Sequence, residues 1–201
     1  MDIQLLLEKS SKLHSHLCPR QILGVRIGLR GLGSLQLGPN LRSKRILAIA
    51  ETDGCFVDGL SAATDCTVGH RTLRIEDYGK AAATFIDTET HRAFRVAPAL
   101  DIREKARKYA VDESRHYFAQ MQTYQIMPDD EMLTVTGVQL KATIDSIVSR
   151  PGIRVRCEAC GEEIMNEREI IHEGIILCRP CAGYSYYRIP VSIPILENSQ
   201  P

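Results

Sequence analysis

Four of the seven cysteines fall as Cys157-x-x-Cys160 and, after seventeen residues, Cys178-x-x-Cys181, and this spacing constrains the end of the chain more than any other feature. Two thiolates three positions apart on a turn reach one ion at about 2.3 Å each, and two such turns complete the tetrahedron of a closed zinc site. Gly161 suits the tight turn after the first pair. Residues 151–201 carry too little apolar bulk to fold alone, and zinc supplies on the order of 10–16 kcal/mol to a module of this kind. Four filled positions leave none for substrate, so the expected role is structural. His172, between the pairs, reads as a strand or surface residue rather than a fifth ligand. Iron or a redox dithiol would use the same cysteines, but the cluster-type run of an iron–sulfur protein is missing.

Composition decides how the remaining cysteines are read. The chain opens Met1-Asp2-Ile3-Gln4 without the basic start and long apolar run of a secretory signal, so a cytoplasmic protein is the expectation. In a reducing compartment an odd number of cysteines points to metal ligands or reactive thiols rather than a disulfide framework. The apolar stretches, such as Ile46–Ala50 and 175–178, are strand-sized and far from the roughly 20 residues of a membrane span. Twenty-five Lys plus Arg balance 25 Asp plus Glu, and residues 151–201 hold 5 basic against 7 acidic groups. Nonspecific nucleic-acid binding needs a basic face, which this chain lacks.

Along the chain, Ile3, Leu6, Leu7, Leu13 and Leu17 recur at helical spacing, and Pro19 should end that helix by about Cys18 and open a second from Gln21 to Leu37. Gly24, Gly28, Gly31 and Gly33 weaken the second helix, and close backbone packing is the reading that accounts for them. A turn at Gly38-Pro39-Asn40 leads to a buried strand, Arg45 to Ala50, and then to a short helix over 55–64. Two strands, Ala82–Asp87 and Ala93–Val96, flank a hairpin turn and should pair antiparallel. From Asp101 and Glu104, a capping-box-like start, apolar residues from Ile102 to Tyr124 predict one helix of about six turns. Met132 to Leu140 reads as another strand, and Ser149 to Gly152 as a hinge. The fold class is therefore α+β, a mostly antiparallel sheet packed with helices, with a core domain over 1–150 and a four-cysteine zinc-finger domain with its tail over 151–201.

His14-Ser15-His16-Leu17-Cys18-Pro19 sets three ligand-capable side chains at alternate positions. On a helix His14 and Cys18 share a face and His16 points away, whereas an extended segment projects all three to one side, and Pro19 biases Cys18 toward the extended form. Cys55 follows the buried strand, with Asp58 and Cys66 soon after. These groups could assemble an open metal site with a water position, or a thiol nucleophile beside a base. Equally, a free Cys is often a small buried hydrophobe, and a lone His hydrogen-bonded structure. Lys80, His70 and His91 taken alone are isolated.

Together, the His14–Pro19 motif, Glu51-Thr-Asp-Gly54-Cys55-Phe-Val-Asp58, Cys66-Thr-Val-Gly69, Asp77-Tyr-Gly79-Lys80-Ala81 and the two CxxC pairs resemble the E-subunit family of formylmethanofuran dehydrogenase over nearly the whole chain. The resemblance implies an α+β core with a His and Cys pocket, an auxiliary treble-clef zinc finger and a homodimer. It also implies association with the molybdenum or tungsten enzyme that reduces carbon dioxide onto methanofuran. Where the family usually reads HGHxCPG, this chain has Ser15 and Arg20 at the glycine positions.

Three readings follow. The first is a zinc-binding accessory protein of one-carbon or molybdopterin-linked metabolism, in which His16, Cys18 and Cys55 are the preferred ligands of a second metal ion or small ligand. His14 and Cys66 stand next in line, and Asp58 and Lys80 orient or polarise what binds. The second makes the same core pocket catalytic, with zinc-activated water or a Cys thiolate paired to His14 or His16. The third is a regulatory or protein-interaction module carried by the finger.

Overall fold

The computed structural model describes residues 2–14, 16–38, 44–148 and 150–189, with the side chain of His14 left out. Residues 39 and 40 of the expected turn, Ser149 of the expected hinge and the tail from 190 onward lie outside these. The chain divides into two compact units, Met1–Ile144 and Asp145–Pro201.

In the first unit α1 (Ile3–His14) and α2 (Pro19–Leu35) precede β1 (Ile46–Ala50), α3 (Cys55–Thr64), β2 (Leu73–Ile75), β3 (Ala83–Asp87) and β4 (Ala93–Pro98). Helices α4 (Ile102–Tyr109) and α5 (His116–Ile126), the single turn α6 (Asp129–Met132) and β5 (Leu133–Gly137) complete it. The sheet order is β2-β1-β3-β4-β5. The hairpin pairs antiparallel as expected, Ala83 opposite Val96 and Ile86 opposite Ala93. β1 lies inside the sheet, with β3 antiparallel on one side and β2 parallel on the other. A strand covered on both faces reads as an apolar run rather than an alternation, which is what Ile-Leu-Ala-Ile-Ala shows. The parallel β1/β2 pair requires a crossover, and α3 supplies it. β2, only three residues long, carries too little pattern to have been read from the sequence.

Several expectations are corrected. The first helix stops at His14, four residues short of Cys18, and Cys18, the residue before Pro19, is extended as that proline requires. The second helix opens with Pro19 itself in the first turn. The single long helix is two, α4 and α5, because the apolar spacing lapses between Ala110 and Tyr117. There the Glu113 carboxylate accepts the Arg115 backbone N–H at 2.9 Å, and Thr123 Oγ1 donates to the Ala106 carbonyl at 3.1 Å to seal α5 back against α4. Asp101 is the N-cap of α4, but its side chain makes no capping bond. The last core strand is shorter than expected, because Met132 belongs to α6 and pairing with β4 ends at Gly137.

Three of the four glycines of α2 pack as anticipated. A Cβ at Gly24 would overlap the Phe56 carbonyl oxygen and lie 2.9 Å from the Leu60 nitrogen, one at Gly28 would lie 2.7 Å from Ala63 Cβ, and one at Gly31 would enter the Phe85 ring. Gly59 of α3 answers from the other side, since its Cβ would overlap the Gln21 carbonyl oxygen. Because Gly24 meets Phe56, Gly59 and Leu60 while Gly28 meets Leu60, Ala63 and Thr64, the two helices run parallel with both N-termini at one end. A methyl group at Gly33 would meet nothing within 4 Å, so this glycine plays no such part. Ile22, Ile27, Leu35, Phe56, Leu60 and Phe85 form the centre of the core between these helices and the sheet.

The second unit pairs β6 (Arg154–Arg156) with β7 (Glu163–Met165) and β8 (Ile170–His172) with β9 (Ile175–Leu177), both antiparallel, after the short α7 (Ile144–Val148). Among its described residues only Cys157 and Ile164 are buried hydrophobics. Apolar burial on that scale cannot offset the chain entropy of ordering the unit.

Candidate functional site

The core site is built where α2 and α3 begin. Cys18 is the N-cap of α2, with φ −136° and ψ 161°. Its N–H donates to Gln21 Oε1 at 2.8 Å, while Gln21 Nε2 donates to the Ser10 carbonyl at 3.0 Å and to Ser10 Oγ at 3.1 Å. The buried Gln21 therefore fixes the end of α1 to the start of α2 and holds Cys18 in place. Its sequence signal is a Gln three residues past the cap of a helix opened by Pro, half of a capping box.

On the other side Glu51 directly follows β1, and its buried carboxylate accepts two bonds from Arg95, Nε to Oε1 at 2.6 Å and Nη2 to Oε2 at 2.7 Å. The Glu51 carbonyl accepts the N–H groups of Tyr78 at 2.9 Å and Lys80 at 3.1 Å, so the 76–82 loop hangs from the same strand end. Gly54, at φ 69°, makes the sharp turn into α3, whose first residue is Cys55.

This places Cys18 and Cys55 at the same end of the touching helices α2 and α3, near enough for the Cys18 thiol to act on that of Cys55. Burial pushes the Cys55 thiol up, the Cys18 thiol adds to the rise, and the Asp58 carboxylate beside it acts in the same direction. The structure thus brings Cys18, Cys55 and Asp58 together. His16, two residues before Cys18, is exposed. Lys80 is exposed on the loop below Glu51. Cys66 does not join them: it follows the opposite end of α3, buried in the hydrophobic core with its sulfur 3.9 Å from the Ile46 carbonyl oxygen, and burial raises its pKa. Arg20 takes ordinary helical conformation in α2, so the lost family glycine costs no backbone freedom there. Tyr117 of α5, unremarked in the sequence beyond its apolar spacing, donates its hydroxyl to the Leu17 carbonyl at 3.4 Å and so reaches the same segment.

In the second unit the four finger cysteines converge, with their sulfurs all within 4.8 Å of one another. Among the described residues this is the one place where three or more His, Cys, Asp or Glu ligand atoms gather so closely. Cys157 leaves β6, and Gly161, at φ 77°, returns its N–H to the Cys157 carbonyl at 2.9 Å. Cys178 leaves β9, and the Ala182 N–H reaches the Cys178 carbonyl at 3.0 Å. The sulfurs of Cys160 and Cys178 are 3.8 Å apart. A tetrahedron of sulfurs about 2.3 Å from a zinc ion has edges of about 3.8 Å, so the donor set fits the metal. Backbone N–H groups of Cys178 and Cys160 pull Cys157 down to about 6, whereas the Cys178 and Cys160 thiols push Cys181 up to about 12. Four thiolates so close together need a cation to coexist, which zinc provides. His172 stands exposed in β8, outside this cluster.

The FmdE family, described as "FmdE, Molybdenum formylmethanofuran dehydrogenase operon", matches residues 13–134. The prokaryotic dksA/traR C4-type zinc finger matches residues 152–187. A curated relative, a probable S-adenosyl-L-methionine-binding protein of Archaeoglobus fulgidus, is 29% identical over 205 residues. That match covers 92% of this chain, which spans about half (54%) of the relative's length. The crystal structure of an FmdE-like protein from Syntrophus aciditrophicus, named after the tungsten formylmethanofuran dehydrogenase, superposes with a TM-score of 0.59 at 22% identity, covering 94% of this chain and 96% of that one. At that identity the likeness is one of fold.

Proposed function

The chain belongs to the FmdE family, and from that premise we propose that this zinc-binding protein serves as an accessory factor of one-carbon or molybdopterin-linked metabolism, taking a metal ion or small ligand at the Cys18–Cys55 end of its core. The observation that supports this reading most directly is the placement of two cysteines, the N-cap of α2 and the first residue of α3, at the shared end of two helices in backbone contact. They offer two soft donors side by side, with His14 and His16 on the segment leading in, and soft thiolate with imidazole suits zinc or another transition metal. Asp58 would orient the donors, and Lys80 would meet an anionic part of the ligand. The proposal extends to a homodimer and to docking on a molybdenum or tungsten enzyme. Catalysis by a Cys55 thiolate is less favoured, because burial raises that thiol instead of lowering it.

Elemental analysis of untagged protein tests the metal reading. About two metal ions per chain, falling to about one in His16→Ala/Cys18→Ser, would support it, whereas about one zinc per chain in both proteins would refute it. The relative's name motivates a second reading, S-adenosyl-L-methionine as the small ligand. Isothermal titration with that compound decides it: saturable binding lost in Cys55→Ser would place it in this pocket, and no heat of binding would remove it.

A further inference from the structure

The near balance of charge over residues 151–201 averages two unlike halves. Six of the seven acidic residues fall between Glu158 and Glu173, whereas 174–196 hold Arg179 and Arg188 and no Asp or Glu. The same end carries three tyrosines in four positions, Tyr184, Tyr186 and Tyr187, which are 67%, 97% and 51% exposed. A tyrosine ring is ordinarily part-buried, and contiguous exposed aromatic surface marks a binding face. The backbone that presents these rings grows directly out of the second cysteine pair. The Gly183 N–H donates to the Pro180 carbonyl at 3.1 Å and the Tyr184 N–H to the Arg179 carbonyl at 2.8 Å, with Gly183 at φ 90° making the turn. Ser185 then closes the next turn, its Oγ donating to the Tyr187 carbonyl at 2.6 Å and accepting the Tyr187 N–H at 3.1 Å. The rings of Tyr186 and Tyr187 meet edge to face, with centroids 5.1 Å apart. Arg179 and Arg188 are exposed, and among the described residues neither guanidinium has a hydrogen bond or an ion pair.

We propose that residues 179–188 form a platform for single-stranded nucleic acid, on which unpaired bases stack against Tyr184 and Tyr186 while Arg179 and Arg188 meet the flanking phosphates. Every base has a π-face, so aromatic rings accept any sequence, and a guanidinium matches a phosphate with two parallel N–H bonds. In a duplex the base faces are already stacked on one another, so rings of this kind find partners only on an unpaired strand. Two cations are too few to hold a polyanion by charge alone, in keeping with the neutral chain. Stacking therefore carries the affinity, and the arginines fix the course of the backbone. This inference concerns the second unit and does not depend on the ligand proposed for the core.

The test is fluorescence anisotropy of labelled oligo(dT) and oligo(U) titrated with the full zinc-loaded chain at low salt, beside a duplex of the same length. The expected result is saturable binding to the single strands that exceeds binding to the duplex. A tighter fit to oligo(U) would assign RNA, and an equal fit a strand of either sugar. Tyr186→Ala should weaken binding roughly 5- to 150-fold, the worth of one stacked base, while Tyr186→Phe, which keeps the ring, should bind as the wild type does. Two phosphate contacts on a single strand give a slope of log K against log salt near −1.4 by order of magnitude, and Arg188→Gln should bring it to about −0.7. An unchanged zinc count in each variant shows that the finger still folds. Absence of binding at low salt would overturn the inference, as would a Tyr186→Ala protein that binds like the wild type. Poly-glutamate displacing the strand as well as unlabelled oligo(dT) does would also overturn it, by assigning the face to an acidic protein.

Discussion

Replacing Gly59 by Ala adds one methyl group where two helix backbones touch. That carbon would overlap the Gln21 carbonyl oxygen and lie 2.9 Å from the Val25 nitrogen. Both neighbours are backbone, so no side chain can turn aside, and the α2–α3 interface must open on the order of 1 Å to restore van der Waals distances. Overpacking of this kind costs about 1–3 kcal/mol or more, against which Ala gains about 1 kcal/mol of helix propensity over Gly. A net loss near 2 kcal/mol follows at the upper end of that range, a fall of roughly 4–8 °C in Tm for a unit of this size. Gly33→Ala is the internal control, since its methyl group meets nothing within 4 Å. There the propensity gain stands alone, and stability should rise by roughly 0.5–1 kcal/mol. Urea unfolding followed by circular dichroism measures both. A Gly59→Ala protein as stable as the wild type, or a Gly33→Ala protein less stable, would refute the packing argument.

Chelation of the finger zinc should unfold residues 154–177 while the first unit stays intact, because only Cys157 and Ile164 are buried hydrophobics among the described residues of the second. Limited proteolysis with and without chelator reads this, and unchanged protection of the finger would count against a metal-held unit. The fully buried Asp87 accepts bonds from Arg45 at 3.2 and 3.1 Å and from Thr90 Oγ1 at 2.9 Å, and the Arg45 guanidinium holds its carboxyl far below the ordinary value of 3.8. A depressed native pKa contributes stability that is complete well above 3.8 and is lost as pH falls through and below it. Asp87→Asn should therefore be less stable near neutrality and flatten the acid limb of the stability profile. An acid limb unchanged by that substitution would show that other carboxylates dominate it.

The fold was most legible where one residue type has one local consequence. Pro19 announced both the extended Cys18 and the start of α2, and the glycines of α2 announced a close approach that proves to be the α2–α3 and α2–Phe85 contacts. It was least legible where pattern alone had to fix chain direction. The apolar residues on either side of the lapse between Ala110 and Tyr117 share a helical spacing that suggests one helix, but the polar stretch there lets the chain fold back, and the tertiary contact of Thr123 with Ala106 shows that it does. β2 was hidden for a related reason: a three-residue parallel edge strand is defined by its partner β1, not by its own sequence.

The same division runs through the two sites. The finger ligands are close in sequence, so spacing alone located all four. Cys18 and Cys55 lie 37 positions apart, and nothing local says that they meet. What brings them together is written elsewhere, in Gly24, Gly28 and Gly59, which set α2 and α3 parallel and in contact, and in Gln21, which fixes the cap that carries Cys18. Cys66 stood next in line to Cys55 in the sequence, yet α3 carries the chain about 15 Å from one end to the other, at 1.5 Å per residue, and delivers Cys66 into the core. Residues that bear no chemistry thus decide which of the three core cysteines can act together. It follows that Gly59→Ala should disturb the Cys18–Cys55 pair as well as stability, although it touches neither sulfur. Any metal bound beyond the finger zinc should be lost in this variant while Gly33→Ala keeps it, and an unchanged metal count per chain would show that the helix interface does not set the core site.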